Sequence, residues 1–524
     1  MSSNGLIGKT KEKRDAVRNG IIRLFLAGIA VIVEFLLLIS IALSLYSYAE
    51  WIAIGTRLTA LFLVLAIYSR NTTASMKTPW IILIMTAPVL GVMLYLMIGL
   101  NVSTRKMRFR YEAIDRKLLP MLPDHRETVE RLRETDAGAA NLAGYLKNHA
   151  GYPLYDGTQV IYYDDAAEAF EAQLQEISKA EHFVFMEYHA IEEAEAFARL
   201  EAVLLERVHA GVEVRLFYDD MGSIGFINTD FVKRMREKGI ACRVFNPVGP
   251  FLNLFLNNRD HRKITVIDGR VGFTGGYNLA DEYFHLKKPY GEWKDSGVKL
   301  MGDAVRSLTV TFLEMWNAVR SHDTDDVDFE RYLPQCPPAA GAQGYVQPYA
   351  DNPIDDEHVG ENVYISIIES AERYVYFITP YLILSDEMIH AMGLAAKRGV
   401  DVRLITPGIP DKKIVYGLSR SYYNSLVRSG VRIFEWTPGF CHAKMCVSDD
   451  RIATCGTINL DFRSLYHHFE NGCLLIGNQA VIDIRTDFEN TFPICREVTG
   501  LYGNGRPAAI RVKHVILRLF AALM

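Results

Sequence analysis

The chain has 524 residues, enough for two or three domains, and 49% of them are hydrophobic while 23% are charged. This balance excludes a disordered chain, and 38 Gly and 19 Pro exclude a fibrous or low-complexity one. A formal net charge of −5 argues against a generally basic nucleic-acid-binding protein, so we expect no nucleic-acid partner. Seven cysteines are too few for a disulfide scaffold in so long a chain, and we expect reduced thiols.

The first hundred residues contain three long apolar runs after a basic tail over residues 1–20. The runs cover Leu24–Leu45, Trp51–Tyr68 and Trp80–Leu100. A helix needs about 20 apolar residues to cross the hydrocarbon core of a bilayer. The third run carries no charge, whereas Glu34 and Arg57 interrupt the other two. We therefore predict a transmembrane segment of two or three helices over residues 21–104, in a multi-pass membrane protein.

The basic residues around this segment leave the number of crossings open. Lysines and arginines precede the first run and follow the third, and both clusters favour the cytoplasmic side. That requires an even number of crossings, although three runs are present. Either one run is re-entrant or interfacial, or one basic cluster lies on the opposite side.

Beyond residue 110, short apolar strands alternate with amphipathic helices, which predicts an α/β sandwich. The order of strand, helix and strand occurs twice, at Phe183–Met186, Ala194–Ala210 and Val212–Tyr218, and again at Tyr374–Ile378, Glu387–Arg398 and Val400–Ile405. Between the copies, His322–Gly344 has the composition of a linker. We predict two similar lobes, over residues 105–335 and 336–505, and a basic amphipathic tail over residues 506–524.

A set of polar residues also occurs twice, in the same order and 181 residues apart. The first copy contains His261, Lys263, Asp268 and Asn278, with Gly275 and Gly276 before the asparagine, and the second contains His442, Lys444, Asp449 and Asn459, with Gly456 and Thr457 in the matching places. A His and a Lys two positions apart on a strand point to the same face, so an imidazole and an ammonium can converge on one anion. Lys and Asn supply a charge and an amide donor for a phosphate oxygen.

Two such half-sites would provide two histidines, one as a nucleophile and one as a general acid. This chemistry requires no metal ion and no cofactor, and the sequence shows no His, Cys and carboxylate cluster at the spacing of a zinc site. We therefore predict neither a metal nor a cofactor.

The repeated pattern HxKxxxxDxxxxxxGGxN resembles that of the phospholipase D superfamily. Further segments are similar to the bacterial cardiolipin synthases: Lys77–Asn101, RDHRK at 259–263, GGYNLADEY at 275–283 and NLDFRS at 459–464. The similarity extends from about residue 50 to about residue 500. The chain departs from the family pattern at Thr457, which replaces the second glycine, and in the additional apolar run Leu24–Leu45.

The resemblance implies two phospholipase D-like α/β/α lobes that form one pseudo-twofold catalytic unit. It also implies a membrane phosphatidyltransferase that makes cardiolipin and glycerol from two phosphatidylglycerols. His261 would attack the phosphorus and His442 would protonate the leaving glycerol, although the symmetry of the two motifs does not by itself decide between them. The alternatives are a phospholipase D-type hydrolase or another phosphatidyl transfer, a membrane-tethered nuclease, and a lipid-binding scaffold. A homo-oligomer is compatible with the sequence.

Supporting roles are expected for several other polar residues. Asp268 and Asp449 lie at turns, which suits backbone capping better than proton transfer. Because the superfamily uses acidic residues after each motif, Asp295 and Glu470 are candidates to orient the imidazoles. We expect crossed pairs between the lobes, Glu470 with His261 and Asp295 with His442. Supporting or phosphate-binding roles are expected for Asn278, Asn459, Gly276 and Thr457.

Three features allow more than one interpretation. Cys441, Cys446 and Cys455 flank the second motif, and apolar packing is the simpler role for them. Phe251–Leu256 would either dip into lipid or form core. The tail Ile510–Met524 would either be an interfacial helix or pack against the lobes.

Overall fold

The structure is a computed structural model that describes residues 15–26, 50–70, 72–96, 104–248, 258–319, 326–355 and 357–503, with isolated residues between 28 and 40 and between 517 and 521. Helices make up the N-terminal part, and two α/β lobes follow. The segment Phe251–Leu256, most of the run Leu24–Leu45 and most of the C-terminal tail lie outside the described residues.

The first lobe is built on a seven-stranded sheet with the order β1-β9-β7-β6-β2-β3-β4. Its strands are β1 Gln159–Tyr163, β2 Phe183–Tyr188, β3 Glu213–Asp219, β4 Ala241–Phe245, β6 Lys263–Ile267, β7 Val271–Gly275 and β9 Gly297–Met301. Strands β2, β3 and β4 are parallel to one another, and the other neighbours are antiparallel. Every residue of β2 and β6 is buried, as expected for central strands covered on both faces.

The second lobe repeats this sheet. Its strands are β10 Tyr345–Asp351, β11 Tyr374–Ile378, β12 Asp401–Pro407, β13 Arg432–Trp436, β15 Met445–Ser448, β16 Ile452–Gly456, β17 His468–Ile476 and β18 Cys495–Glu497. The order β10-β17-β16-β15-β11-β12-β13 matches the first sheet strand for strand, and β18 extends the far edge. The two similar lobes predicted from the repeat are therefore present.

Helices cover the faces of both sheets. The helices that precede the first sheet in the chain are α1 (15–26), α2 Glu50–Ser69, α3 Ala74–Thr86, α4 Pro88–Leu94, α5 Thr104–Leu118, α6 Arg126–Thr135 and α7 Ala137–Tyr145. Within the lobes they are α8 Ala166–Ile177, α9 Glu195–His209, α10 Asp220–Ser223, α11 Phe231–Glu237, α12 Val305–Ala318, α13 Val359–Ser370, α14 Asp386–Lys397, α15 Lys413–Arg428, α16 Phe462–Tyr466, α17 Gln479–Thr491 and α18 Thr499–Gly503.

Two short pairs of parallel strands join the lobes. Strand β5, Arg259–Asp260, pairs with β17 of the second sheet. Strand β8, Glu292–Lys294, pairs with β14, Gly439–Cys441. Every residue of helix α12 except Arg306 is buried, and one apolar cluster continues from the first lobe into the second. The lobes therefore share a core and are held in one relative orientation.

The third apolar run is divided in the structure, contrary to its prediction as one span. Helix α3 ends at Thr86, and α4 begins at Pro88 after an Ala87 whose backbone is not helical. The physical reason is that proline disfavours the helical conformation of the residue before it and suits the first position of a new helix. Among the residues that the structure describes, we find no helix with both the length and the hydropathy to cross a bilayer.

The cysteines and the described part of the C-terminal tail pack in the interior or against the lobes. All seven cysteines are described, and none forms a disulfide. Cys441, Cys446 and Cys455 are buried, which agrees with a packing role. Arg518 of the tail donates to the Ser421 carbonyl at 2.9 Å and lies over the Tyr422 ring, so this part of the tail contacts α15.

Candidate active site

The first half-site forms where β5 meets β17. The register pairs Asp260 with Phe469, and the ladder continues as the His261 amide donates to the Phe469 carbonyl at 2.9 Å. His261 therefore stands opposite Glu470, and its Nδ1 lies 2.9 Å from both carboxylate oxygens. A two-residue strand thus places a histidine of one lobe on a carboxylate of the other.

The second half-site is built in the same way where β14 meets β8. Cys441 pairs with Lys294, and the His442 amide donates to the Lys294 carbonyl at 2.7 Å. Nδ1 of His442 consequently lies 2.7 Å from Oδ2 of Asp295. Both crossed pairs expected from the sequence are present in the structure.

Each carboxylate is supported from its own lobe, but by different groups. Glu470 accepts hydrogen bonds from the Thr457 hydroxyl and, at 2.6 Å, from the Ser464 hydroxyl. Asp295 accepts from the Ser296 amide at 2.9 Å. A Cβ on Gly276 would lie only 2.0 Å from Oδ1 of Asp295, so a side chain there would collide with this carboxylate. The departure from the glycine pattern at Thr457 therefore supplies a hydroxyl donor to Glu470.

The two lysines of the motifs are buried beside the histidines. Nζ of Lys263 donates to the His261 carbonyl at 2.6 Å, and Nζ of Lys444 lies 3.1 Å from Nε2 of His442. Burial lowers the pKa of Lys263 to about 7 and that of Lys444 to about 8, although the nearby carboxylates oppose the shift. The two buried ammonium groups are thus balanced by two carboxylates, and an anionic group bound beside the lysines would favour their charged forms.

The surroundings of both histidines favour the neutral form of the ring. Burial lowers the pKa of His261 and of His442 well below the usual value, and the charges of Lys263 and Lys444 lower both further. The carboxylate at Nδ1 selects the tautomer with a proton on Nδ1. At His261 this leaves the Nε2 lone pair to attack an electrophile. At His442 the Lys444 ammonium lies 2.6 Å from Nδ1 and 3.1 Å from Nε2, so the ammonium must move before Nε2 can exchange a proton with substrate.

The aspartates of the two motifs cap the backbone, as the sequence analysis expects. Asp268 accepts from the amides of Glu181, His182 and Phe183, and Asp449 accepts from those of Glu372, Arg373 and Tyr374, in each case at 2.7 to 2.9 Å. Both have positive φ, at 52° and 56°, a conformation that Asp tolerates better than most residues. Each carboxylate closes a turn and ties it to the start of the neighbouring strand.

The asparagines of the two motifs have different surroundings. The Asn278 side chain accepts from the Ala190 amide at 3.1 Å and donates to the Tyr283 hydroxyl at 2.8 Å. In the described residues Oδ1 of Asn459 has no hydrogen-bond partner. The donor expected to bind phosphate at Asn278 is thus already engaged with Tyr283.

Two further imidazoles lie beside His261, and the sequence reasoning missed both. The ring centre of His189 is 4.9 Å from that of His261, and that of His468 is 5.6 Å away. Potential metal-binding atoms of His261, His468 and Glu470 all lie within 4.8 Å of one another, the only such group in the described ranges. The signal for His468 was its place two residues before Glu470, which puts both on one face of β17.

The family of the chain follows from comparison with known proteins. A family model described as the phospholipase D-like domain of cardiolipin synthase matches residues 174–316 and 364–492, the segments that carry both motifs. The chain belongs to this family. A second model, of the N-terminal region of phospholipase D and nuclease proteins, matches residues 58–99.

Individual relatives agree with the family. A cardiolipin synthase of Geobacillus kaustophilus is 32% identical over 470 residues, which are 89% of this chain and 92% of that protein. An uncharacterized protein of Streptococcus mutans is 40% identical, over 85% of this chain and 96% of its own length. The crystal structure of a phosphatidylserine synthase from Haemophilus influenzae matches with a TM-score of 0.55 at 14% identity, over 73% of this chain and 99% of that one, which shows a shared fold.

Proposed function

We propose that this protein is a phosphatidyltransferase that makes cardiolipin and glycerol from two molecules of phosphatidylglycerol. The observation that carries the proposal is the pair of crossed histidine–carboxylate contacts, each with a lysine of the same motif beside it, in a member of the cardiolipin synthase family. The arrangement suits a phosphodiester, because it offers one nucleophile, one proton donor and two cations at a single anion.

The first half-reaction would proceed at His261. Its Nε2 attacks the phosphorus of the first phosphatidylglycerol while Glu470 holds the Nδ1 proton and stabilises the positive charge that develops on the ring. Lys263 and Lys444 stabilise the additional negative charge on the phosphoryl oxygens. His442 donates a proton to the glycerol oxygen as the P–O bond breaks, which leaves a phosphatidyl-histidine and free glycerol.

The second half-reaction reverses the role of His442. Its neutral Nε2 accepts the proton of a hydroxyl on the second phosphatidylglycerol, and that oxygen attacks the phosphorus and releases His261. Because an anion between the lysines favours the protonated form of a nearby imidazole, bound substrate raises the low pKa of His442 and enables it to act as an acid.

We also propose that residues 21–104 hold the enzyme at the bacterial membrane, in contact with its lipid substrates. Large apolar side chains on α2 are exposed, among them Phe62 at 70% and Leu65 at 55%. Met85 near the end of α3 is also exposed, at 62%. Such a surface is costly in water and is stable against lipid. How many times the chain crosses the bilayer stays a prediction.

The experiment that tests the activity uses the full-length protein in detergent with phosphatidylglycerol as the sole lipid. We expect cardiolipin and glycerol in equal amounts by mass spectrometry, and no product from His261→Ala. Phosphatidic acid with no cardiolipin would identify a hydrolase instead. Cleavage of single-stranded DNA with no lipid turnover would identify a nuclease and overturn the proposal.

A further inference from the structure

His468 is a largely, but not fully, buried imidazole that the mechanism above does not use. Its side chain is 12% exposed, and within the described part of the chain neither of its ring nitrogens has a hydrogen-bond partner. Its Nδ1 lies 3.7 Å from Oε1 of Glu470, too far for a hydrogen bond. Burial of a polar group without a hydrogen-bond partner is unfavourable, so a ligand that binds this imidazole would relieve an energetic cost.

We propose that His261, Glu470 and His468 form a binding site for a transition-metal ion of the Zn²⁺ type, and that the bound ion inhibits the enzyme. Two imidazoles and a carboxylate are a common zinc ligand set. An ion about 2.1 Å from each donor in tetrahedral geometry would separate the donors by about 3.4 Å. The separations here are 2.9 Å from His261 to Glu470 and 3.7 Å from His468 to Glu470, and the whole group lies within 4.8 Å.

The inhibition follows from where the ion would bind on His261. In the metal-free site Nδ1 carries the proton and points to Glu470, which leaves the Nε2 lone pair for phosphorus. When a metal–Nδ1 bond forms, the Nδ1 proton is displaced, and the neutral ring rebinds a proton at Nε2. The nucleophilic lone pair is then occupied, and Glu470 binds the ion instead of the imidazole. The ion therefore blocks attack without reaching the phosphate.

The choice among metal ions expected of this site distinguishes specific binding from a general effect of ionic strength. Two nitrogen donors favour Zn²⁺ or Co²⁺, whereas Mg²⁺ and Ca²⁺ prefer sites made of oxygen ligands. The second half-site lacks the third ligand, because Trp293 lies beside His442 at a ring-centre distance of 5.7 Å where His468 lies beside His261. We therefore expect one ion per chain.

The test uses the full chain in detergent after treatment with a chelator. Binding is read from the visible absorption of Co²⁺, which needs no substrate, and inhibition by Zn²⁺ is read from cardiolipin formation. We expect one bound Co²⁺ and inhibition by Zn²⁺ that the chelator reverses, with Mg²⁺ at the same concentration having no effect. In His468→Asn both the Co²⁺ affinity and the sensitivity to Zn²⁺, relative to the metal-free rate of the same variant, should fall at least about tenfold.

His189→Gln is the matched control, because it removes the other imidazole near His261. Nδ1 of His189 already lies 2.7 Å from the Asp260 carbonyl, so this variant should keep the Co²⁺ affinity. Unchanged Co²⁺ binding in His468→Asn, or an equal loss in His189→Gln, would overturn the proposed ligand set, and binding without inhibition would overturn the inhibitory role. The inhibition rests on the proposed function, but Co²⁺ binding does not. A site that binds Co²⁺ through His468 in a protein that makes no cardiolipin would refute the proposed function alone.

Discussion

The two half-sites have the same backbone geometry but different surroundings. Each histidine follows a short strand that pairs with the opposite lobe, and each contacts a carboxylate there. Around His261 the neighbouring rings are imidazoles, His189 and His468. Around His442 they are Tyr283, Trp293 and Phe440, at 5.2, 5.7 and 6.0 Å. The repeat therefore duplicates the reacting groups, while the residues around them make the two halves chemically distinct.

The groups that donate hydrogen bonds to the two carboxylates also differ between the half-sites. Glu470 receives two side-chain hydroxyls in addition to His261, whereas Asp295 receives a backbone amide and lies against the bare backbone of Gly276. A fold with approximate twofold symmetry can thus assign unequal roles by changes in a few contacts. Substitutions in each half-site and the pH dependence of the reaction measure how unequal the two halves are.

The largest effect is expected from removal of either histidine. His261→Ala and His442→Ala should each lower turnover by at least about 10³-fold, because one loses the nucleophile and the other the proton donor. The two variants should nevertheless differ in covalent chemistry. With a phosphodiester whose leaving group needs no protonation, His442→Ala should still form an adduct on His261.

Peptide mapping by mass spectrometry distinguishes the two roles. His261→Ala incubated with the same substrate serves as the control and should form no adduct. An adduct on His442 in that control, together with none on His261 in the reverse variant, would show that the roles are exchanged. Substantial turnover by either variant with phosphatidylglycerol would contradict the mechanism with two histidines.

Replacement of the carboxylates should give the next largest effect. Glu470→Gln and Asp295→Asn keep the shape but remove the charge that stabilises each imidazolium, and we expect a loss in kcat of about 10²-fold or more. For a substrate with a good leaving group, formation of the phosphatidyl-histidine should still be slow in Glu470→Gln. The same step should recover much of its rate in Asp295→Asn, because proton donation by His442 no longer limits it.

The measurements are kcat for phosphatidylglycerol and the rate at which the leaving group of the activated phosphodiester is released in the first turnover, in both variants. Circular dichroism on each variant controls for folding. Equal recovery of the two variants with the activated substrate would mean that the half-sites share the acid and nucleophile roles, which contradicts the assignment.

A smaller effect on activity is expected when the pH is raised, because the buried lysines then lose their charge. Because their pKa values are lowered to about 7 and about 8, Lys263 loses its charge before Lys444 as the pH rises. The cationic form is present below each pKa, so kcat/KM should be highest on the acid side of pH 7 and fall through these two steps. The fall is measured as kcat/KM against pH, at saturating detergent and constant ionic strength. A profile that stays flat through both pKa values would contradict the role of the lysines as phosphate-binding cations.

The smallest effect on activity is expected at the capping aspartates, where the two halves are alike. Asp268→Asn and Asp449→Asn keep a side chain that tolerates positive φ but weaken three amide hydrogen bonds to a charged acceptor. Each should lower the free energy of unfolding by about 1–3 kcal/mol and leave kcat almost unchanged. Thermal unfolding and steady-state kinetics check both parts. A large loss of kcat in a protein of unaltered stability would instead assign the aspartate to catalysis.

Much of the site could be predicted from the sequence because its residues recur at a constant interval. Local periodicity predicts β2, β3, β11 and β12. The constant separation of 181 residues shows, without any contact, which residues of the two motifs correspond. The turn positions of Asp268 and Asp449 indicated capping, since the partners of a turn residue lie on adjacent strands of its own lobe. The resemblance indicated the two acidic residues, but their crossed pairing could only be guessed, because no local pattern links residues more than 140 positions apart.

Prediction from sequence is limited to features that depend on local contacts along the chain. Local sequence determines which residues lie on a strand and which face they share, so the His, Lys and Asp of each motif, and the two lobes that carry them, were visible in the chain itself. Only the tertiary structure decided which carboxylate meets which histidine, because that depends on the register of β5 on β17 and of β8 on β14. It also decided that His468 and Trp293 occupy matching places in unlike half-sites. Pairing between strands of different lobes is a nonlocal contact, and its geometry arises only when the shared core is packed.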